Sequence, residues 1–119
     1  MIIAIPTKNR KGLNDEIEEH FGRCNTYTFL DENGNVIKIV ENVGKHMGGF
    51  KLPPEFIKDQ GAEILLCKGI GPKAVNLCKS LGIKVYISNE AKTVKEIFEF
   101  WKNKKVKDAS YENTCLENY

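Results

Sequence analysis

Short apolar runs, separated by polar or glycine-containing stretches, are the main regularity of this sequence. Runs of this length with many β-branched and aromatic residues are typical of β-strands. They predict strands at Ile2–Thr7, Tyr27–Leu30, Val36–Val40, Ile64–Cys67 and Ile83–Ile87. The run Ile64-Leu65-Leu66-Cys67 contains no polar residue, which favours a strand covered on both faces. Asn33-Gly34 predicts a tight hairpin, so the second and third strands should be antiparallel.

Three other segments have helical patterns. The prolines at 53–54 and 72 suit the first turn of a helix, where a missing N–H costs little, and they predict helices over 53–59 and 72–81. Thr93 and Glu96 have the spacing of a capping box, which starts a third helix, 93–102. The helical positions expected to face the core are Ala74, Leu77, Cys78 and Leu81, and then Val94, Ile97, Phe98 and Trp101.

The elements follow the order β-β-β-α-β-α-β-α, which is an α/β pattern. Strand–helix–strand units cross over right-handed and make parallel pairs. We therefore predict a five-stranded mixed sheet in the order 3-2-1-4-5, with strand two antiparallel and helices on both faces. Residues 1–102 should form this single domain, and the lysine-rich segment 103–119 is predicted to be a flexible carboxyl-terminal tail.

Four loops should meet at one edge of this sheet, beyond the carboxyl ends of strands one, three, four and five. These loops are residues 8–25, 41–53, 68–72 and 88–93. Ligands of open α/β sheets bind at this edge. The residues with ligand chemistry that would gather there are His20, Cys24, His46, Cys67 and the glycines of Gly69-Ile70-Gly71.

Composition narrows the class of protein. The chain has 119 residues, enough for one domain with a core, and its formal net charge of +2 is too small to indicate nucleic acid or an anionic membrane as a partner. No apolar run approaches the ~20 residues that span a bilayer. The four cysteines form no CxxC pair, which favours reduced thiols and a cytoplasmic location.

Imidazole and thiolate groups in the loop that contains His20 and Cys24 suit iron, copper or zinc. His46, in the glycine-rich stretch 44–49, could join them as a third metal ligand. The same pattern also fits a histidine that packs and caps its own loop. Arg23 could hold an anionic group such as an oxyanion through its planar guanidinium, or it could be a solvated surface charge.

Gly69 and Gly71 precede a predicted helix, whose first N–H groups attract anions, although glycines at this place also serve ordinary turns. Cys67 and Cys78 fit core packing, and Cys115 lies in the predicted tail.

Several functions are disfavoured by what the sequence lacks. A metal-dependent nuclease needs clustered carboxylates, starting on strand one, and Ile2–Pro6 has none. A structural zinc site needs four ligands in paired spacing, and a thiol oxidoreductase needs a poised thiol pair. The remaining class is a small binding protein. The residues themselves favour a metal or a small anion as its ligand.

Three motifs, in this order, resemble the dinitrogenase iron–molybdenum cofactor biosynthesis family. They are His20-Phe-Gly-Arg-Cys24 leading into Tyr27-Thr-Phe29, then His46-Met-Gly-Gly49, then Ile64 through Gly69-Ile70-Gly71-Pro-Lys-Ala74. The family includes NifX, NafY, the carboxyl-terminal domain of NifB and small stand-alone archaeal and bacterial proteins. The resemblance covers roughly residues 1–100.

The resemblance implies a ribonuclease-H-like fold and a cargo of iron–sulfur or iron–molybdenum-type clusters, with His20 matching the family's cluster-binding histidine. We therefore expect a non-enzymatic protein that carries or stores a metal–sulfur cluster or its precursor. The expected metal ligands are His20, Cys24 and His46, with Arg23, Gly69 and Gly71 also holding the cluster. Cluster donor and acceptor proteins are the expected partners, and a ParA/MinD-like ATPase is a further candidate. The alternative is a small-anion sensor or an adaptor for a partner ATPase, without metal.

Overall fold

A computed structural model describes residues 1–43 and 51–109 of the chain. A 3-10 helix occupies Gly12–Asn14. The strands are β1 Ile2–Thr7, β2 Thr26–Leu30, β3 Val36–Glu41, β4 Ala62–Cys67, β5 Lys84–Ile87 and β6 Lys107–Asp108. The helices are α1 Pro53–Asp59, α2 Pro72–Ser80 and α3 Val94–Lys102. Every predicted strand and helix is therefore present, with bounds that differ from the prediction by at most two residues.

The strands form one mixed sheet in the order β3-β2-β1-β4-β5-β6. β1 is parallel to β4, and β4 is parallel to β5. β2 is antiparallel to both of its neighbours, β1 and β3. The predicted order of the first five strands and the antiparallel second strand are confirmed. The ribonuclease-H-like assignment stays a prediction.

The predicted number of strands is wrong, because β6 adds a sixth strand at the edge of the sheet. β6 is antiparallel to β5, and the Ala109 amide donates to the Val85 carbonyl at 2.9 Å. Ala109 is only 2% exposed, so the packed part of the chain extends past residue 102. Backbone groups make this pairing, so the lysine-rich side chains gave no sign of it.

Hydrophobic clusters lie on both faces of the sheet, as the alternation along β1 requires. Ala4 faces a cluster that includes Ile57 of α1 and Val75 and Cys78 of α2. Ile3 and Ile5 face a second cluster, which contains residues of α3. Helices therefore cover both faces, as predicted.

The amino end of α3 has the predicted capping box. The Thr93 hydroxyl accepts from the Glu96 amide at 3.2 Å, and the Glu96 carboxylate accepts from the Thr93 amide at 3.2 Å. Val94 and Ile97 are fully buried, but Phe98 and Trp101 are only half-buried. All four predicted positions of this helix therefore face the core, with Phe98 and Trp101 less completely covered. Towards the carboxyl end of α3, less of its surface is covered.

Candidate functional site

The loop that contains His20 and Cys24 is joined directly to the glycine turn after β4. The Phe21 amide donates to the Gly69 carbonyl at 3.1 Å. Gly69 is buried and Gly71 is partly exposed. Two of the segments that the sequence places at the carboxyl edge of the sheet are therefore in contact there.

Residues 20–23 form a tight turn. The Arg23 amide donates to the His20 carbonyl at 3.1 Å. Gly22 has a φ of +96°, and a Cβ at this position would lie 3.1 Å from the Pro53 Cγ. A side chain is disfavoured here by both the backbone conformation and the space. His20 is half-buried and Arg23 is exposed, so solvent reaches both side chains.

Phe21 anchors this turn to the core. Its ring lies 6.1 Å from the Tyr27 ring, centroid to centroid, and the Tyr27 ring lies 5.6 Å from that of Phe56. These tilted geometries are favourable for aromatic pairs. The anchor fixes the backbone on either side of Phe21, and it thereby limits where His20 can be.

The structure places Cys24, a predicted metal ligand, inside the hydrophobic core. Cys24 is completely buried and belongs to the cluster on the α1 and α2 face. Burial raises its pKa to about 11, although hydrogen bonds from its surroundings partly oppose this. Metals bind the thiolate form, and near neutral pH this side chain is a neutral thiol inside the core. Its packing in this hydrophobic cluster, which the sequence does not show, is the reason that it is a poor metal ligand in the folded chain.

Tyr27 lies in the same buried region. Burial, together with the nearby Cys24 thiol, raises the pKa of Tyr27. Its hydroxyl finds no hydrogen-bond partner of full geometry within the described ranges. The Cys24 sulfur beside it is at best a weak partner, so we regard this hydroxyl as poorly satisfied.

Asn42 holds the turn from the other side, and the sequence gave no sign of this role. Its side-chain amide donates to the Cys24 carbonyl at 2.9 Å and to the Gly22 carbonyl at 3.2 Å. Its backbone amide donates to the Asn25 carbonyl at 2.9 Å. Asn42 is 4% exposed. One side chain thus satisfies two carbonyls of the candidate loop.

We expect Asn42→Ala to lower the free energy of unfolding by about 1–3 kcal/mol, because it leaves buried carbonyls without their donor. Denaturant unfolding measures this loss. Asn25→Ala is the matched control, since the Asn25 amide donates to the Lys8 carbonyl at an exposed position, and it should cost much less. Equal losses of stability in the two variants would contradict the proposed role of the Asn42 side chain in holding this turn.

The first half of the same loop is built around Asp15, a second residue that pattern analysis missed. The fully buried Asp15 carboxylate accepts from the Glu16 amide at 2.8 Å and from the Asn9 amide at 3.1 Å. The Val94 amide donates to the Asp15 carbonyl at 3.0 Å. The long loop is therefore ordered by its own contacts and by α3.

The amino end of α2 follows the glycine turn. Gly71 is its N-cap, and no side chain caps the first amides of this described helix. Its first turn includes the exposed Lys73 and no acidic residue. Open N–H groups, the helix dipole and a nearby lysine all favour an anion at this position.

The other predicted ligands are placed as follows. His46 and Cys115 lie outside the described residues. Cys67 is fully buried, and its thiol lies 3.9 Å from the Tyr86 carbonyl, in agreement with core packing. Within residues 1–43 and 51–109, no three side chains of His, Cys, Asp or Glu are grouped to hold a metal ion.

These observations define a small mixed α/β domain with a glycine-rich loop edge beyond its parallel strands. The sequence model of the family described as dinitrogenase iron–molybdenum cofactor matches residues 1–104. The chain belongs to this family, as the motifs around His20 and Gly69 predicted.

Individual relatives agree with this membership. The chain is 33% identical over 94 residues to the uncharacterized protein MJ0580 of Methanocaldococcus jannaschii. The aligned region covers 75% of each chain. The crystal structure of PH0822 is 32% identical, with a TM-score of 0.69 over 91% of this chain and 96% of that one. TM1290 of Thermotoga, solved by NMR, is 25% identical, with a TM-score of 0.72 over 92% of this chain and 94% of that one.

Among the described helices, none is both long and apolar enough to cross a membrane.

Proposed function

We propose that this protein is a non-enzymatic carrier or store for a metal–sulfur cluster or its precursor, of the iron–sulfur or iron–molybdenum type. Membership of the dinitrogenase iron–molybdenum cofactor family supports a role connected with that cofactor. The observation that carries the proposal is the hydrogen bond from the Phe21 amide to the Gly69 carbonyl. It joins the His20 turn to the glycine turn that precedes α2.

His20 is the proposed metal ligand among the described residues, because its imidazole is partly exposed beside the anchored Phe21. A metal–sulfur cluster is usually anionic, and Arg23 and the open amino end of α2 would favour negative charge. His46 remains a proposed second ligand that no described contact tests. Cys24 is not part of the proposed ligand set, because it is buried and protonated.

A site with few protein ligands suits a carrier. A closed cage of four ligands holds its metal permanently, whereas cargo must leave for a recipient. The partners of this protein would then be the proteins that assemble the cluster and those that receive it. The comparisons give no support to the alternative function, a small-anion sensor or ATPase adaptor.

We expect His20→Ala to lose most of the metal taken up when the protein is reconstituted without oxygen, either with iron and sulfide or with thiomolybdate. Absorption spectra and metal analysis measure the uptake. Cys24→Ala is the matched control, because it removes a soft ligand from the same motif but from the core side. It should retain the uptake of the wild type.

The two variants separate the possible results. Equal uptake by the wild type and by His20→Ala would overturn the proposed ligand. Loss of uptake in Cys24→Ala, with folding intact by circular dichroism, would restore Cys24 to the ligand set and imply that the loop opens to bind cargo. If His20→Ala and His46→Ala each took up half as much metal as the wild type, both imidazoles would be assigned as metal ligands.

A further inference from the structure

A groove lies at the carboxyl end of α3, on the face of the sheet opposite to Phe21 and Tyr27. Its volume is about 420 Å³, and it is lined by Tyr86, Trp101, Lys102, Lys104 and Val106. This volume lies within the range of pockets that hold small molecules. Two aromatic residues and two lysines contribute to its lining.

Lys104 adopts a backbone conformation that a lysine does not favour. Its φ is +58°, and within residues 1–43 and 51–109 it is the one residue other than glycine with a positive φ. Its amide donates to the Trp101 carbonyl at 3.1 Å, and the Lys105 amide donates to the Phe100 carbonyl at 2.8 Å. These two hydrogen bonds form a Schellman motif at the carboxyl end of α3. Glycine is the usual residue at the position that Lys104 occupies in this motif. The lysine therefore lowers the stability of the turn that carries it.

The surroundings of Lys104 are strongly basic. Lys102 is held beside the groove, with its ammonium 5.8 Å from the ring centroids of both Phe98 and Trp101. Lys105 and Lys107 follow, and Glu99 and Asp108 are the acidic residues on either side of this segment. A strained lysine in such a segment suggests that its side chain is retained for an interaction, as backbone outliers often indicate.

We infer that this groove binds a small planar aromatic anion, with its ring against Trp101 and Tyr86 and its charge near Lys102 and Lys104. A nucleoside monophosphate is the simplest molecule of this class, because every base has a face that stacks on aromatic side chains. The phosphate supplies the charge that the lysines match. The inference is independent of the proposed cluster function, since the groove shares no residue with the loop edge that contains His20 and Gly69.

Trp101 is the single tryptophan of the chain, so its fluorescence reports directly on the groove. We expect adenosine monophosphate to change this fluorescence in a saturable way, and to bind at least about tenfold more tightly than adenosine or inorganic phosphate alone. No saturable change up to millimolar concentrations would overturn the inference. So would adenosine or phosphate binding as tightly as the nucleotide.

Lys104→Gly separates binding from folding. We expect it to raise the melting temperature by about 2–5 °C, because glycine suits the left-handed conformation. It should also weaken the binding of adenosine monophosphate about tenfold. Lys79→Ala, which removes the same charge from α2 on the other face, should leave the affinity unchanged. Unchanged affinity in Lys104→Gly, or an equal loss in Lys79→Ala, would overturn the role of Lys104.

Discussion

Raising the pH from about 8.5 to about 11 is expected to lower the free energy of unfolding by roughly 3 kcal/mol or more. The cause is the buried thiols of Cys24 and Cys78. Burial is the main reason that the pKa of Cys24 rises from 9.0 to about 11. Burial alone raises the pKa of Cys78 from 9.0 to about 12. Ordinary exposed thiols titrate near 8.5.

The sign of this change in stability depends on which state, folded or unfolded, releases its thiol protons at the lower pH. Below the pKa of the unfolded thiols, both states are protonated and the full stability is present. Above it, the unfolded chain ionises while the folded thiols remain neutral, so stability is lost as the pH rises towards the folded values. For Cys24 this window runs from about 9 to about 11. Tyr27, whose pKa is also raised by burial, acts in the same direction.

Denaturant unfolding at about pH 8.5 and at about pH 11 measures the effect. The matched control is the double variant Cys24→Ala, Cys78→Ala, which removes both thiols with a small change in volume. We expect its stability to fall less between the two pH values than that of the wild type. If the two proteins lost stability in parallel, ionisation elsewhere would explain the alkaline loss.

Gly34→Ala is expected to lower the free energy of unfolding by roughly 2–4 kcal/mol, an unusually large cost for one methyl group at a turn. Gly34 belongs to the hairpin between β2 and β3 and has a φ of +88°. An added Cβ would lie 2.7 Å from the Phe98 Cε2 atom. The methyl group therefore meets both an unfavourable backbone conformation and a ring of α3 that must move.

Asn33→Ala, in the same turn, is the control, because Asn33 is exposed and has no positive φ. Exposed substitutions of this kind usually change stability by about 0.5 kcal/mol or less. Denaturant unfolding of both variants measures the two losses of stability. If Gly34→Ala cost no more than Asn33→Ala, the turn would tolerate a Cβ and its contact with α3 would be of little consequence.

The fold was accessible from the sequence because its signals are local and repeated. The apolar run Ile64–Cys67, the Asn33-Gly34 turn and the Thr93–Glu96 capping box each specify one element within a few residues. Crossover handedness then orders the parallel strands. The strand β6 was missed because it is held by backbone hydrogen bonds to β5, and these leave no pattern in a lysine-rich segment.

The candidate site was only partly accessible. From His20, Cys24 and Gly69, the sequence analysis identified the loop and the glycine turn that are in contact in the structure. Residue type alone could not tell that Cys24 is packed inside the core while His20 is partly exposed. Nor could it find Asn42, an ordinary polar residue whose side chain spans the turn.

By itself, the sequence determined the order of the elements, the parallel and antiparallel pairing of five strands, and the helices on both faces. Periodicity and turn chemistry act over a few residues, so the chain displays them directly. Only the tertiary structure decided the protonation of Cys24, the clamp made by Asn42 and the strained position of Lys104 beside Trp101. Each of these depends on how backbone and side chains come together in the folded chain. Burial, hydrogen bonding and backbone conformation, which set their chemistry, exist only once that folding is complete.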